Sequence, residues 1–354
     1  MKSYINKIRR AVFHNLTQFV GASYSLKDKP YDLNSKPIRI LISRPNSRLG
    51  NLLLLTPLLQ EVQKSLPLAK IDVFVRGGLG AVLYKNYNNV ERVIALPSKP
   101  FKQLLKYILV WYNLRKYHYD LVINTIPRSS SGRLSTKLVK ADLKFFGENN
   151  ESLKKQITDY CHMAKLPVYN YRNYLQRVGY TIDLTQYVST LSLMLTKDEI
   201  TNGRNKLNQL IENKKETICI YTFATGRKCF NKVWWSDLYS KLKEQLGDQY
   251  NLMEVLPKER VSQINFKAIS YYSTDIREMA AVISHTKLFI TADCGVMHLS
   301  SASNTPTLGL FSVTPIEVYQ PYNSFSRSLN VLEVDQSEIL TNIHEMLSEI
   351  KTLK

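Results

Sequence analysis

The chain has 354 residues, 44% of them hydrophobic and 22% charged, a composition that fills two globular cores and is not that of a disordered protein. Forty-eight Lys and Arg against 29 Asp and Glu leave a net charge of +19, which asks for a polyanionic partner; nucleic acid, an anionic membrane face and a phosphorylated glycolipid satisfy it equally. The four cysteines (Cys161, Cys219, Cys229, Cys294) form no Cys-x-x-Cys pair, which argues against a zinc site and a disulfide framework, and no run reaches the roughly 18 apolar residues of a membrane span. The N-terminus lacks the apolar core and cleavage site of a signal peptide, so a cytoplasmic protein is expected.

Residues 1–36 read as a basic amphipathic helix and a linker. Ile5, Ile8, Val12, Leu16, Phe19 and Val20 fall at helical spacing, with Lys2, Lys7, Arg9 and Arg10 opposite. That pattern suits an anionic bilayer and equally a helix packed on its own protein. Alternating strands and helices then predict one α/β domain over residues 37–188 and a second over 189–354.

In the first domain a strand at 38–43 runs into a loop, Pro45-Asn46-Ser47-Arg48, and then an apolar helix from Gly50 that contains Thr56-Pro57 and stops before Pro67. Strands follow at 71–75, 92–96, 121–125 and 143–147, with a long apolar and basic helix at 101–117. The segment after Thr125, IPRSSSGRLSTK, reads as a basic loop at a strand's carboxyl end; Arg128, Arg133 and Lys137 there could hold phosphates or carboxylates, as could Arg44 and Arg48 after the first strand.

The second domain restarts with a strand at 217–222, a loop at 223–232 reading FATGRKCFNK, a helix at 234–246 and a strand at 251–256. Gly226 permits close backbone approach, Lys232 would neutralise phosphate and a helix N-terminus follows, though a plain basic surface loop fits as well. Arg227 and Lys228 stand in the same loop, and Glu259 in the next could accept from a ribose or a base. The most informative stretch is 291–311, TADCGVMHLSSASNTPTLGLF. An apolar strand stops at Asp293-Cys294-Gly295, a small-residue helix with His298 in its first turn follows, and a second strand begins at Thr307. The turn falls where parallel sheets bind ligands, outside a strand's carboxyl end. Physics alone also allows an ordinary crossover with a capping Asp and a buried His. A final helix at 337–353 is expected to pack back across the domains.

The Asp293-x-Gly295-x-x-His298 segment, its small residues and the following Thr305-Pro306-Thr307 resemble the donor-binding signature of glycosyltransferase family 9, the heptosyltransferase-like enzymes. Gly50, Thr56-Pro57 and Pro67 match the family's first helix, but position 51 is Asn where the family carries an acid taken to be the general base. An amide has no basic site in the useful pH range. Three readings follow: another group supplies the base, with Asp120, Asp142 and Glu148 as available carboxylates; the chemistry leans on a good diphosphate leaving group; or the protein is an impaired sugar-nucleotide or glycolipid binder.

The resemblance implies an α/β fold in the GT-B arrangement, two Rossmann-like domains facing across a cleft. It implies inverting, metal-independent transfer of a sugar, a heptose in the best-known members, from a nucleotide-diphosphate donor such as ADP-heptose to a lipopolysaccharide-core or related glycolipid acceptor, with no cofactor. Thr222, Thr225, Gly226, Lys232, Glu259, Asp293, Cys294, Gly295 and His298 would bind the donor. Arg44, Arg48, Gly50, Arg128 and Arg133 would bind the acceptor, and Asn51, Lys232 and His298 would take the catalytic positions. A phosphorylated glycolipid acceptor and an anionic inner-membrane surface would be the partners of a peripheral protein on the cytoplasmic side of a bacterial membrane. No recognisable nucleic-acid module and no Gly-x-Gly-x-x-Gly after a predicted strand argue against a nucleic-acid binder and a dinucleotide-dependent oxidoreductase.

Overall fold

The structure is a computed structural model that describes residues 20, 32–33, 37–99 and 102–352. The amphipathic helix expected before residue 36 lies outside the described residues. The chain divides into two compact units: the first takes residues up to Ser47 together with Pro57–Ser189, and the second takes Arg48–Thr56 together with Thr190–Lys354.

The first unit is built on β1 (Arg39–Ser43), β2 (Lys70–Arg76), β3 (Val90–Leu96), β4 (His118–Asn124) and β5 (Lys140–Phe145), paired in the order β3-β2-β1-β4-β5. All four pairings are parallel. Ile40, Leu41 and Ile42 of β1 are fully buried, the near-continuous apolar run expected of a central strand covered on both faces. A buried carboxylate of that sheet, Asp72 of β2, is matched by Arg92, whose Nε donates at 3.0 Å, and by the Tyr119 hydroxyl at 2.8 Å. Such pairing is what makes a buried charge tolerable.

The second unit holds β6 (Thr217–Tyr221), β7 (Asn251–Val255), β8 (Ile269–Tyr271), β9 (Leu288–Ala292), β10 (Thr307–Phe311) and β11 (Arg327–Asn330), in the order β11-β10-β9-β6-β7-β8. This sheet is also parallel throughout. Counted from β6, that is the doubly wound order of a six-stranded nucleotide-binding sheet, with its topological switch between β6 and β9. The C-terminal helix, Gln336–Thr352, buries Ile339, Leu340, Ile343, Met346 and Leu347 in this unit's own core beside Trp235, Leu238 and Leu242. That core takes up its apolar face.

Each end of the segment joining the units is clamped by a buried arginine. In the first unit Arg172 donates to both oxygens of Glu61, at 2.6 and 2.9 Å, and to the carbonyl of Gln186. In the second, Arg277 donates to both oxygens of Glu199 at 2.7 Å and to the carbonyl of Leu193 at 3.0 Å. The guanidinium fork satisfies a carboxylate and backbone carbonyls together, so neither ion is left unpaired.

Two further segments also differ from their expectation, besides β8, a strand the sequence reading does not contain. The supposed basic loop at 126–137 contains a helix, Ser130–Leu138, because the Ser129 side chain caps it by accepting from Gly132 N at 3.1 Å. Residues 48–56, expected in the first domain, group with the second unit. The helix Leu49–Leu53 packs on the helix Gly295–Ala302, and the Thr56 hydroxyl accepts from Ser192 N at 3.2 Å.

Candidate active site

The site grows from the switch point of the second sheet. β6 and β9 lie side by side in register, Tyr221 opposite Thr291, so the loops that leave their carboxyl ends meet. The loop after β6 turns at Gly226, whose φ of +67° is natural to glycine, into a short 3-10 turn, Gly226–Lys228. The loop after β9 is only Asp293-Cys294 before the helix Gly295–Ala302 starts, and that helix is buried from Val296 onward. Its small residues let it lie close on the sheet: Ser300 and Thr307 exchange a hydroxyl hydrogen bond at 2.8 Å, and a Cβ at Gly309 would come within 2.9 Å of Met297 Sδ.

Against this helix lies Leu49–Leu53, crossing at two glycines. A Cβ on Gly295 would sit 3.3 Å from Gly50 N, and a Cβ on Gly50 would sit 2.6 Å from His298 Cδ2 and 3.4 Å from its Nε2. The His298 ring thus occupies the space where Gly50 lacks a side chain. The crossing delivers Asn51 to the rim of a cavity of about 930 Å³, within the range of small-ligand sites.

The cavity walls combine cationic, aromatic and carboxylate side chains. Arg48, Lys228 and Lys258 are cationic, Tyr221, Phe223, Tyr272 and Tyr319 are aromatic, and Asp293 and Glu259 are the carboxylates. Lys228 forms an ion pair with Asp293, and the Thr314 hydroxyl donates to the same carboxylate oxygen. Asp293 is nearly buried while Lys228 stays one-third exposed, so the carboxylate fixes a cation at the mouth of the helix's positive end. Lys228 also sits 5.7 Å from the Tyr319 ring centre, a cation–π distance. Burial pushes the Cys294 thiol up, against the hydroxyl of Thr291 and the N–H groups of Met297 and Val296 that pull it down; burial, then Cys294 and Glu259, push the Tyr221 phenol up. Both stay protonated at neutral pH.

Of the residues expected at the site, Arg48, Gly50, Asn51, Thr225, Glu259, Asp293, Cys294, Gly295 and His298 line this cavity. Lys232 does not. Asn231 caps the helix Lys232–Leu246, and the Lys232 ammonium reaches Asn265 Oδ1 at 3.2 Å, leaving Lys228 as the loop's lysine in the cavity. Gly226 supplies the turn but no wall. Thr222 is buried beneath the wall, its hydroxyl donating to Glu254 at 2.6 Å and accepting from Gln263 N at 3.1 Å.

In the first unit, Arg44 is buried beside Tyr84, whose phenol it acts to stabilise as the anion against a larger burial effect. Arg133 donates to the Pro127 carbonyl at 3.1 Å, and Arg128 is exposed. The carboxylates available there as a base are engaged: Asp120 accepts from Arg39 N, Asp142 pairs with His118, and Glu148 with Arg177. Lys258, Tyr272 and Tyr319 carry no motif that would have marked them. Among the described residues no group of three His, Cys, Asp or Glu side chains is placed to hold a metal ion.

Glu254 gives the scaffold under the site a pH dependence. It is wholly buried in β7, and burial raises its pKa, with Thr222 and Ser262 opposing. A carboxyl whose folded pKa lies above its unfolded value contributes stability that is complete below the unfolded pKa and is lost as pH rises through the folded one. Glu254→Gln keeps an acceptor for Thr222 and removes the titration. We expect it to raise the thermal midpoint at pH 8 more than at pH 5, as read by a melting series; equal shifts at both pH values would contradict this account.

The family model described as Glycosyltransferase family 9 (heptosyltransferase) matches residues 108–341. A lipopolysaccharide heptosyltransferase 1 of Campylobacter coli is 25% identical over 317 residues, covering 84% of this chain and 89% of the relative. A lipopolysaccharide heptosyltransferase 3 of Escherichia coli K12 is 24% identical over 292 residues, covering 77% and 82%. Among solved structures, a family 9 glycosyl transferase of Veillonella parvula superposes with a TM-score of 0.71 at 15% identity, covering 90% of this chain and 99% of that one. The E. coli heptosyltransferase WaaC with ADP superposes with a TM-score of 0.63 at 17% identity, covering 87% and 100%.

Proposed function

Because the chain belongs to glycosyltransferase family 9 (heptosyltransferase), we propose that it moves a heptose from ADP-heptose or a closely similar donor to a lipopolysaccharide-core acceptor, inverting the anomeric centre and using no metal. The observation that carries this reading is the cavity at the carboxyl ends of β6 and β9, where Lys228, held by Asp293, stands at the start of the helix Gly295–Ala302. The donor's diphosphate would lie against Lys228 and the helix's positive end, its base among the aromatic walls with Glu259 as an acceptor. An acceptor hydroxyl attacks the anomeric carbon as the bond to the diphosphate oxygen breaks. The electron pair leaves on the diphosphate, where Lys228 and the helix end meet the growing charge.

The attacking hydroxyl must lose its proton, and Asn51 cannot take it. Asn51 would orient that hydroxyl by hydrogen bonds, and His298, whose ring packs against Gly50, would act as base. Asp293 is committed to Lys228 and Thr314. The reading of an impaired binder, raised by Asn51, finds no support in the relatives, which are named as heptosyltransferases. We place the protein on the cytoplasmic side of an anionic membrane, where its phosphorylated acceptor would be presented.

The test is turnover of ADP-heptose and a panel of other nucleotide sugars by wild type and Asn51→Asp, with a deacylated core oligosaccharide as acceptor. Wild type should transfer heptose, and Asn51→Asp should change the rate by less than about tenfold, since the base lies elsewhere. A silent wild type awakened by Asn51→Asp would remove His298 from the role of base. No nucleotide binding at all would overturn the function.

A further inference from the structure

The helix Leu104–Asn113 in the first unit has no fully buried residue. Tyr107, Val110 and Trp111, with Leu114 just beyond, turn inward to the core formed by Leu41, Phe74 and Leu96, and Trp111 meets Phe74 edge to face at 5.4 Å. The opposite face is apolar as well. Leu104, Leu105, Ile108, Leu109 and Tyr112 are 56, 79, 54, 56 and 63% exposed, and their spacing places them on a single side of the helix. A helix that only covered its own core would carry polar residues there.

The charge around this face has one sign. Between Glu91 and Asp120 the chain carries Arg92, Lys99, Lys102, Lys106, Arg115 and Lys116 and not one carboxylate. Lys102, Lys106, Arg115 and Lys116 are exposed beside the apolar face, and Lys116 Nζ sits 5.8 Å from the Tyr112 ring centre. A second copy of the chain on this face would bring two such cationic rims together. An anionic bilayer would take the leucines among its acyl chains and the lysines among its headgroups. We propose that this helix lies in the plane of the membrane and docks the protein on anionic lipid. At ten residues, about 15 Å, it is far too short to cross. The surface deepens the membrane-facing part of the proposed function and does not depend on the transfer chemistry.

Flotation of the full chain with vesicles of phosphatidylethanolamine and phosphatidylglycerol, against vesicles of phosphatidylcholine, tests it. Wild type should float with the anionic vesicles and lose that binding in high salt. The double variant Leu105→Ser, Leu109→Ser should bind more weakly by at least about tenfold, given the contribution of each buried methylene. Its melting curve and its transfer to a soluble, deacylated acceptor should stay unchanged. Undiminished flotation of the double variant, with the N-terminal residues intact, would overturn the assignment and leave the transferase reading standing. Self-association of wild type that the same variant abolishes in sedimentation would also overturn it, in favour of a second copy on the face. Flotation that depends on Leu105 and Leu109 without any transfer activity would overturn the proposed reaction alone.

Discussion

Lys228→Ala should lower kcat/KM for sugar transfer by about a thousandfold, and Lys232→Ala by less than about threefold. The contrast follows from where the two ammonium groups stand. Lys228 lines the cavity with its Nζ paired to the nearly buried Asp293, whereas Lys232 lies outside it and reaches Asn265. A departing diphosphate gains charge as the sugar bond breaks, so a preorganised cation at its oxygens is worth more in the transition state than in the bound donor. The loss should therefore fall more on kcat than on KM. Lys228→Arg should recover part of the activity, because a guanidinium can still pair with Asp293 and meet phosphate. Asp293→Asn should weaken donor binding, since it keeps the charge of Lys228 but removes the carboxylate that fixes its ammonium in position. Steady-state kinetics on the four variants with calorimetric ADP binding decides the matter. A Lys232→Ala defect larger than that of Lys228→Ala would mean the diphosphate sits elsewhere.

The exchange of one lysine for the other shows what a sequence carries and where it stops. The order of elements was legible because parallel strands buried on both faces read as apolar runs: the strand at Thr307–Phe311 is as predicted, and the others shift by a few residues at their ends. The turn at Asp293-Cys294-Gly295 was legible because a strand, a glycine and a helix start sit within a few residues of one another. Which lysine lines the cavity was not. The turn at Gly226–Lys228 and the cap at Asn231 redirect the chain between them, and that redirection is set by backbone geometry and has no compositional mark. The helix behind Ser129 was hidden for a related reason: a run of Ser and Gly has the composition of a loop, and one side-chain cap reverses the outcome. The strand β8 was missed because it has three residues, two of them exposed.

Gly50 was the deepest of these cases. Read locally, it is a backbone residue before a ligand-facing amide, and the resemblance placed it with the acceptor. In the fold its missing side chain is the seat of the His298 ring, a residue 248 positions away. No local pattern announces such a vacancy, because its occupant comes from another element.

That vacancy supports the second large effect. Gly50→Ala should cut transfer by about a hundredfold and cost about 1–3 kcal/mol of stability, as overpacking does in a filled interior. The new methyl would stand 2.6 Å from His298 Cδ2 and 3.4 Å from the Gly295 backbone. His298 is a rigid, buried ring and cannot swing aside as a long flexible side chain would, and sliding the helices is blocked where Gly295 already meets Gly50. Either the ring leaves its place or the two helices part. Both would move the base proposed here away from the hydroxyl that Asn51 is proposed to orient. His298→Gln, which keeps a hydrogen-bonding side chain without the imidazole, should lower kcat with KM nearly unchanged if the ring takes the proton; a rise in KM alone would make it a holder of the donor. The two sites should then be coupled. In a His298→Ala background the clash is gone, so adding Gly50→Ala should cost almost nothing further in melting temperature, and a double-mutant cycle should return an interaction energy near the full single-variant loss. Additive losses would show that Gly50 is needed for some reason other than making room for His298.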